Sequence, residues 1–532
     1  MKKAILILCV LLLVVPAALF AAGGREAVAG GGDSKMGGVL VFGRSGDSVS
    51  LDPGRETDGE SFYGSTAVFD TLVEFVPGST AVQPALAKSW DVSANGLEYV
   101  FHLREGVKFH DGTPFNAKAV VFSFERQFKQ DHPYYNLGPW KYWGYMDMDN
   151  IVKEVVAVDD LTVKFVLKKV EAPFIANLAM DFASIVSPTA VAKLGEEFKN
   201  KPVGTGAFKF VSWTKDSDIV FDRNADYWGG PVYLDRLILK VIPDATSRWL
   251  ALQKGEVDLI DFPSMEDIPA MRATKGIQLI QQAGLNVGYL AMNTQKKPFD
   301  NKLVRQAMNY AIDQKEIVAG VYGEAGRVAK NPLPPAMWSY NDDIEDYGYD
   351  VAKAKELLAK AGYPNGFEME LWAMPVARPY NPDARKIAEI MQAQLAKVGI
   401  RARIVSYEWG TYLDKTDQGE HQAAMLGWTG DNGDPDNFLW VLLSEPAAIP
   451  PAGNIAFWKN KEFTDLIAKA KATADQAQRD TLYRQAQVIF HEEAPWVPIA
   501  HSVVTVPAKD SVKDFVLYPT GKRMFKHVWL EK

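Results

Sequence analysis

Phe367-Glu368-Met369-Glu370-Leu371-Trp372-Ala373 reads as a short strand, and the residues after it decide the fold. From about Asp383 the apolar residues Ile387, Ile390, Met391 and Val398 recur at helical spacing, and Gly399 stops the run. Ile400, Ala402 and Ile404 then alternate with Arg401 and Arg403, which is the period of a strand. A further apolar strand is expected over residues 423–428. Strands separated by helices in this way imply an α/β lobe with a largely parallel sheet.

The pattern extends toward the N-terminus. Asp350 is placed to cap a helix with Val351, Ala354, Leu357, Leu358 and Ala361 on one face and Gly362 just past its end. Asp300 is placed to cap another, with Val304, Met308, Ala311 and Ile312 inward. Before about residue 286 strands and turns dominate. Val39-Leu40-Val41-Phe42 opens as a strand, and residues 97–103 and 161–167 alternate at period two. The expected organisation is lobe I over residues 39–285, lobe II over 286–500 and a C-terminal return to lobe I over 501–532. A mostly β sub-lobe over about residues 74–200 is inserted in lobe I.

A chain of 532 residues with 47% apolar and 23% charged side chains has material for two or three lobes and a large core. Its net charge of −8 argues against nucleic acid, which selects a basic surface. Met1-Lys2-Lys3 precedes an apolar run that ends in Ala21-Ala22-Gly23, the layout of a secretory signal over residues 1–23. A retained N-terminal anchor is the alternative. Residues 24–38, rich in glycine, read as a flexible leader. The one cysteine, Cys9, lies inside the apolar run, so a mature chain would hold no disulfide and no cysteine metal site.

Enzyme signatures fail on inspection. There is no Gly-x-Ser-x-Gly elbow, and His491-Glu492-Glu493-Ala494-Pro495 has proline where a second metal ligand belongs. Gly204-Thr205-Gly206 lacks the third glycine of a dinucleotide site and reads as a tight turn. His102 and His110 read as structural. Counted as a calcium loop from Asp431, position six holds Asp436 and position twelve Leu442, so the frame fails. No catalytic residue, metal or cofactor is expected.

Two opposite charges remain. Arg378 follows the strand ending near Ala373, and Asp431 follows the strand over 423–428. Ligands of open α/β sheets sit at the carboxyl ends of strands. Arginine offers a planar fork to a carboxylate, and aspartate accepts from an ammonium. Together they suit a zwitterion such as a short peptide, and a dipeptide spans roughly 7 Å. Fixed anchors would act as a ruler, because a longer peptide strands a buried charge. On spacing alone, though, such a pair is more often two surface residues. Trp372, Tyr380, Trp409 and Trp428 fall near the same crevice and could wall a side-chain pocket, although most aromatic residues belong to the core.

Several longer motifs carry a resemblance. They are Tyr99-Val100-Phe101-His102-Leu103-Arg104-Glu105-Gly106-Val107-Lys108-Phe109-His110-Asp111-Gly112, Val304-Arg305-Gln306-Ala307-Met308-Asn309-Tyr310-Ala311-Ile312-Asp313, and Trp428-Thr429-Gly430-Asp431-Asn432-Gly433-Asp434-Pro435-Asp436-Asn437. From about Val39 onward the chain resembles the family 5 extracytoplasmic solute-binding proteins of ABC-type peptide importers. The run Arg378-Pro379-Tyr380-Asn381-Pro382 is similar to the dipeptide-binding branch.

The resemblance implies a two-lobed α/β periplasmic-binding-protein fold of the Venus-flytrap type, class II. It implies that Asp431 holds a peptide ammonium and Arg378 its carboxylate. It places Thr57, Asp58 and Gly59 against the peptide backbone, with Trp428, Thr429, Gly430 and Tyr380 lining the other side. The partners implied are a dipeptide and the membrane subunits of an ABC permease, met by a periplasmic monomer. Whether a chemotaxis receptor also reads the loaded form is left open. Oligopeptides, haem or an amino-acid derivative are the alternative ligands, and a secreted hydrolase is the remote alternative. Hinges are expected near residues 284–288 and 499–502. The cysteine pairs of well-known relatives are missing here, which leaves the side-chain preference open.

Overall fold

The strand read first is formed as Glu368–Trp372 and pairs in parallel with Arg401–Val405, Met369 facing Ala402. Between them lies the helix Ala384–Ala396, whose first turn is capped by the Asp383 side chain on the Lys386 amide. Asp350 caps Val351–Lys360 in the same way. Side-chain caps of this kind satisfy amides that the helix itself leaves unpaired. The computed structural model describes residues 35–532; the expected signal segment and residues 24–34 of the leader lie outside them.

Twelve strands form one sheet. One half runs Arg401–Val405, Glu368–Trp372, Ala423–Thr429, Asn286–Met292. The other runs Leu259–Ile260, Val39–Arg44, Arg236–Val241, Asp218–Arg223, Phe208–Thr214. The 14-residue strand Trp496–Lys509 belongs to both. Its first part pairs with Asn286–Met292, Ala500 opposite Gly288, and its second with Ile277–Ala283, Val503 opposite Ala283. Gly284 and Leu285 thus bridge the halves beside residues 501–502. Asn286 clamps the crossing: its amide nitrogen donates to the Ser502 carbonyl at 3.0 Å and its side-chain oxygen accepts from the Ser502 amide at 2.9 Å.

Two expectations are corrected. The C-terminal lobe is not largely parallel. Only the pairings of Glu368–Trp372 with Arg401–Val405 and Ala423–Thr429 are parallel; Ala423–Thr429, Asn286–Met292 and Trp496–Lys509 meet antiparallel. The helix expected from Asp300 is Lys302–Ala311, and its cap is Asn301, which accepts from the Leu303 amide.

The insert in the first half has a four-stranded antiparallel sheet, ordered Ala87–Val92, Glu98–Leu103, Thr162–Leu167, Val152–Ala157. Period-two alternation buries Tyr99, Phe101 and Leu103 from one strand and Val163, Phe165 and Leu167 from the next. Phe124 closes on Phe165 edge-on at 4.9 Å, and Phe101 does so at 5.6 Å. This hydrophobic core is continuous with that of the C-terminal half, whereas Leu40, Phe42, Leu237, Leu239, Val504 and Val506 build a separate core. The large cleft lies where the two meet.

Candidate functional site

Arg378 and Asp431 both project from chain just beyond carboxyl ends of adjacent parallel strands, Glu368–Trp372 and Ala423–Thr429. The Arg378 loop is folded on itself: Arg378 and Asn381 exchange backbone hydrogen bonds of 3.0 and 2.9 Å. Tyr322 Oη and Ser502 Oγ donate to the next two carbonyls inside it, Tyr380 at 2.7 Å and Pro379 at 2.6 Å. The ring of Tyr380 lies flat against the strand at Gly427, where a Cβ would sit 2.1 Å from it. A side chain at that position would therefore displace the ring into the cavity.

Both charges border one cavity, with about 870 Å³ of atom-free space that is partly open to solvent. Thr57, Asp58, Gly59, Trp428, Thr429 and Tyr380 line it, and so does Trp409. Gly430 does not. It turns away, its amide donates to the Leu285 carbonyl at 2.6 Å, and a Cβ there would meet the Phe438 ring at 2.6 Å. Trp372 is also outside, buried in the core with its Nε1 on Glu370.

The Arg378 end of the chamber is crowded. Asp58 caps the helix Gly59–Val68 through the Ser61 amide, and its other oxygen accepts from Arg378 Nη2 at 2.5 Å and Trp409 Nε1 at 3.1 Å. Arg378 stacks over the Trp409 ring at 5.0 Å, and Glu60 lies 3.8 Å behind its second nitrogen. Burial, with Asp261 adding to it, pushes Glu60 up to about 8. Asp58, expected against the peptide backbone, is thus an ion-pair partner of the arginine.

The Asp431 end contrasts with this. Asp431 accepts from Tyr142 Oη at 2.6 Å, and its amide donates to the Asn437 side-chain oxygen at 2.9 Å. No cation pairs with it among the described residues. Burial pushes its carboxyl up to about 7; the Tyr142 hydrogen bond opposes that and the nearby Asp181 adds to it. Tyr142, Asp181, Lys522 and Arg523 complete the wall and were not legible in the sequence. Lys522 pairs with Asp181 across 341 positions, and no local pattern marks these residues.

A chamber between two sheet halves, walled by charged side chains that stand at strand ends, is the arrangement of the two-lobed solute-binding class. Residues 81–449 match the bacterial extracellular solute-binding proteins, family 5, and the chain belongs to that family. It is 47% identical over 507 residues to the dipeptide-binding protein of Escherichia coli K12, covering 93% of this chain and 95% of that one. It is 46% identical over 506 residues to the heme-binding protein A of Haemophilus influenzae, covering 92% of each. Among solved structures, the periplasmic binding protein DppA of Helicobacter pylori in complex with the peptide STSA superposes with a TM-score of 0.89 at 44% identity. That match covers 94% of this chain and 99% of the other.

Proposed function

We propose that this protein is the substrate-binding component of an ABC importer, taking up dipeptides in the periplasm and passing them to a membrane permease without transforming them. The observation that carries the reading is Asp431, a half-buried acid in the chamber wall that pairs with no cation among the described residues. A ligand ammonium would supply that cation, with Arg378 meeting the ligand carboxylate. The six charged residues of the wall are three acids, Asp58, Asp181 and Asp431, and three cations, Arg378, Lys522 and Arg523. A zwitterion preserves that balance, whereas a net charge would upset it in a low-dielectric site. Lobe I over 39–285, lobe II over 286–500 and the return over 501–532 would close by hinging at residues 284–288 and 499–502. Among the described residues no helix is long and apolar enough to cross a membrane.

Titration calorimetry with Ala-Ala, tri-alanine and tetra-alanine tests the length ruler. The expected result is a drop of at least tenfold beyond two residues, since a longer chain leaves one terminus unpaired. Equal affinity for the tetrapeptide would rule the ruler out. The Helicobacter pylori relative, solved with STSA, makes this the informative comparison. Haem is the second reading, favoured by the 46% identical heme-binding relative. Of the described residues that line the chamber, none is histidine, cysteine or methionine, so tyrosine would be the iron ligand available.

A further inference from the structure

We propose that Arg523 is a second cation for a carboxylate of the ligand, acting beside Arg378. The assignment rests on the peptide-receptor reading above. Residues 520–523, in the segment after the long strand, form part of the chamber wall. Arg523 is 1% exposed, yet it borders the cavity.

The pairing of the wall charges singles it out. Arg378 is held by Asp58 at 2.5 Å, and Lys522 by Asp181 at 2.8 Å. Two charges are left, the acid Asp431 and the cation Arg523, and neither has an ion-pair partner among the described residues. Arg523 uses Nη1 on the Gly521 carbonyl at 2.9 Å, and its Nε is buried with no hydrogen-bond partner. Its guanidinium lies 5.3 Å from the centre of the Tyr63 ring. Asp261 is within electrostatic reach, but its oxygens make no hydrogen bond and its nearest cation is Arg248 at 3.8 Å.

A buried guanidinium with open donors is costly unless an anion arrives. Arg378 alone is a poor receiver, because a ligand carboxylate placed on it also meets the negative charge of Asp58. Donors from a second guanidinium offset that repulsion. The carboxylate concerned is either the peptide's own terminus or an acidic side chain on its second residue, and both present the same chemistry.

The experiment compares full-length wild type with Arg523→Gln and Arg523→Lys by titration calorimetry. Ala-Ala against Ala-Ala amide reads the terminal carboxylate, and Ala-Glu against Ala-Gln reads the side chain. In at least one pair the wild-type preference for the charged member is expected to fall tenfold or more in Arg523→Gln. Lysine, which keeps the charge and loses the fork, is expected to restore part of it. In the pair that responds, affinity for the member lacking the carboxylate in question should stay within about twofold, which a merely structural role would not produce. Preferences unchanged in both pairs overturn the assignment. If Arg523→Gln does not fold, Arg523→Lys decides alone: a severalfold reduced preference supports the assignment, and an unchanged one overturns it. A wild type that binds none of the four ligands overturns the peptide reading and this assignment together, whereas a binding wild type with unmoved variants overturns only the latter.

Discussion

Asp431→Asn is expected to weaken dipeptide binding by at least a hundredfold while leaving the empty protein no less stable at pH 8. A ligand ammonium brought against a neutral amide is a buried charge without its partner, a loss of several kcal/mol. The empty protein behaves oppositely. A carboxyl moved from its ordinary 3.8 to about 7 is roughly 4 kcal/mol worse off ionised here than in water. The raised folded-state value means a penalty that begins above pH 3.8, grows to about pH 7 and is then constant. Asparagine removes it, so the variant's gain should be visible at pH 8 and absent at pH 4. Tyr142 Oη keeps an acceptor in either case.

The same shift sets the pH dependence of binding. Below about 7 the empty site holds a proton on Asp431 that the ammonium must displace, so affinity should fall by up to tenfold per pH unit. Above about pH 8 the free peptide's own amine loses its proton. Affinity should therefore peak between about 7 and 8 in wild type, and the acidic limb should vanish in Asp431→Asn. A flat acidic limb in wild type would show that Asp431 does not meet the ammonium. Both measurements need only calorimetry in matched buffers.

Local rules read well where the determinants are local. Asp350 and Asp383 cap the helices they precede, because a cap is decided within three residues. Arg378 and Asp431 reach one cavity because strand ends of one sheet lie together. Strand direction was harder to read. Asn286–Met292 and most of Trp496–Lys509 are buried on both faces, and a continuous apolar run fits parallel and antiparallel pairing alike. Lys522 and Arg523 sit in an irregular segment without periodicity, and only the folded chain brings Asp181 to 2.8 Å from Lys522. Trp372 is adjacent to the crevice in sequence but faces the core, since alternation along a strand sends neighbours to opposite sides. Asp58 carries the subtler lesson: its place in the chamber wall was legible, but its commitment to Arg378 spans 320 positions.

Lys471→Met is expected to cost about 3–5 kcal/mol of stability at pH 8, the scale for stranding buried carboxylates. Lys471 ends the helix Lys461–Lys471, Asp436 begins the helix Asp436–Leu443, and Glu171 follows the strand Thr162–Leu167 of the four-stranded sheet. The ammonium lies 3.1 Å from Glu171 and 3.6 Å from Asp436, over the Trp440 ring at 4.4 Å. All three side chains are at most 3% exposed, and neither carboxylate accepts a hydrogen bond among the described residues. Burial already raises the carboxyl of Asp436 well above its ordinary value and raises that of Glu171. Without the lysine both would rise further, and raised acids destabilise the fold increasingly above their unfolded values near 4. The deficit against wild type should therefore shrink toward pH 4.5 and be largest at pH 8, read as a shift in the urea midpoint. Adding Asp436→Asn to Lys471→Met should recover much of the loss at pH 8 by removing one of the two stranded charges. A midpoint for Lys471→Met that equals wild type at pH 8 would mean the carboxylates are already protonated, and the lysine would then be holding neither of them.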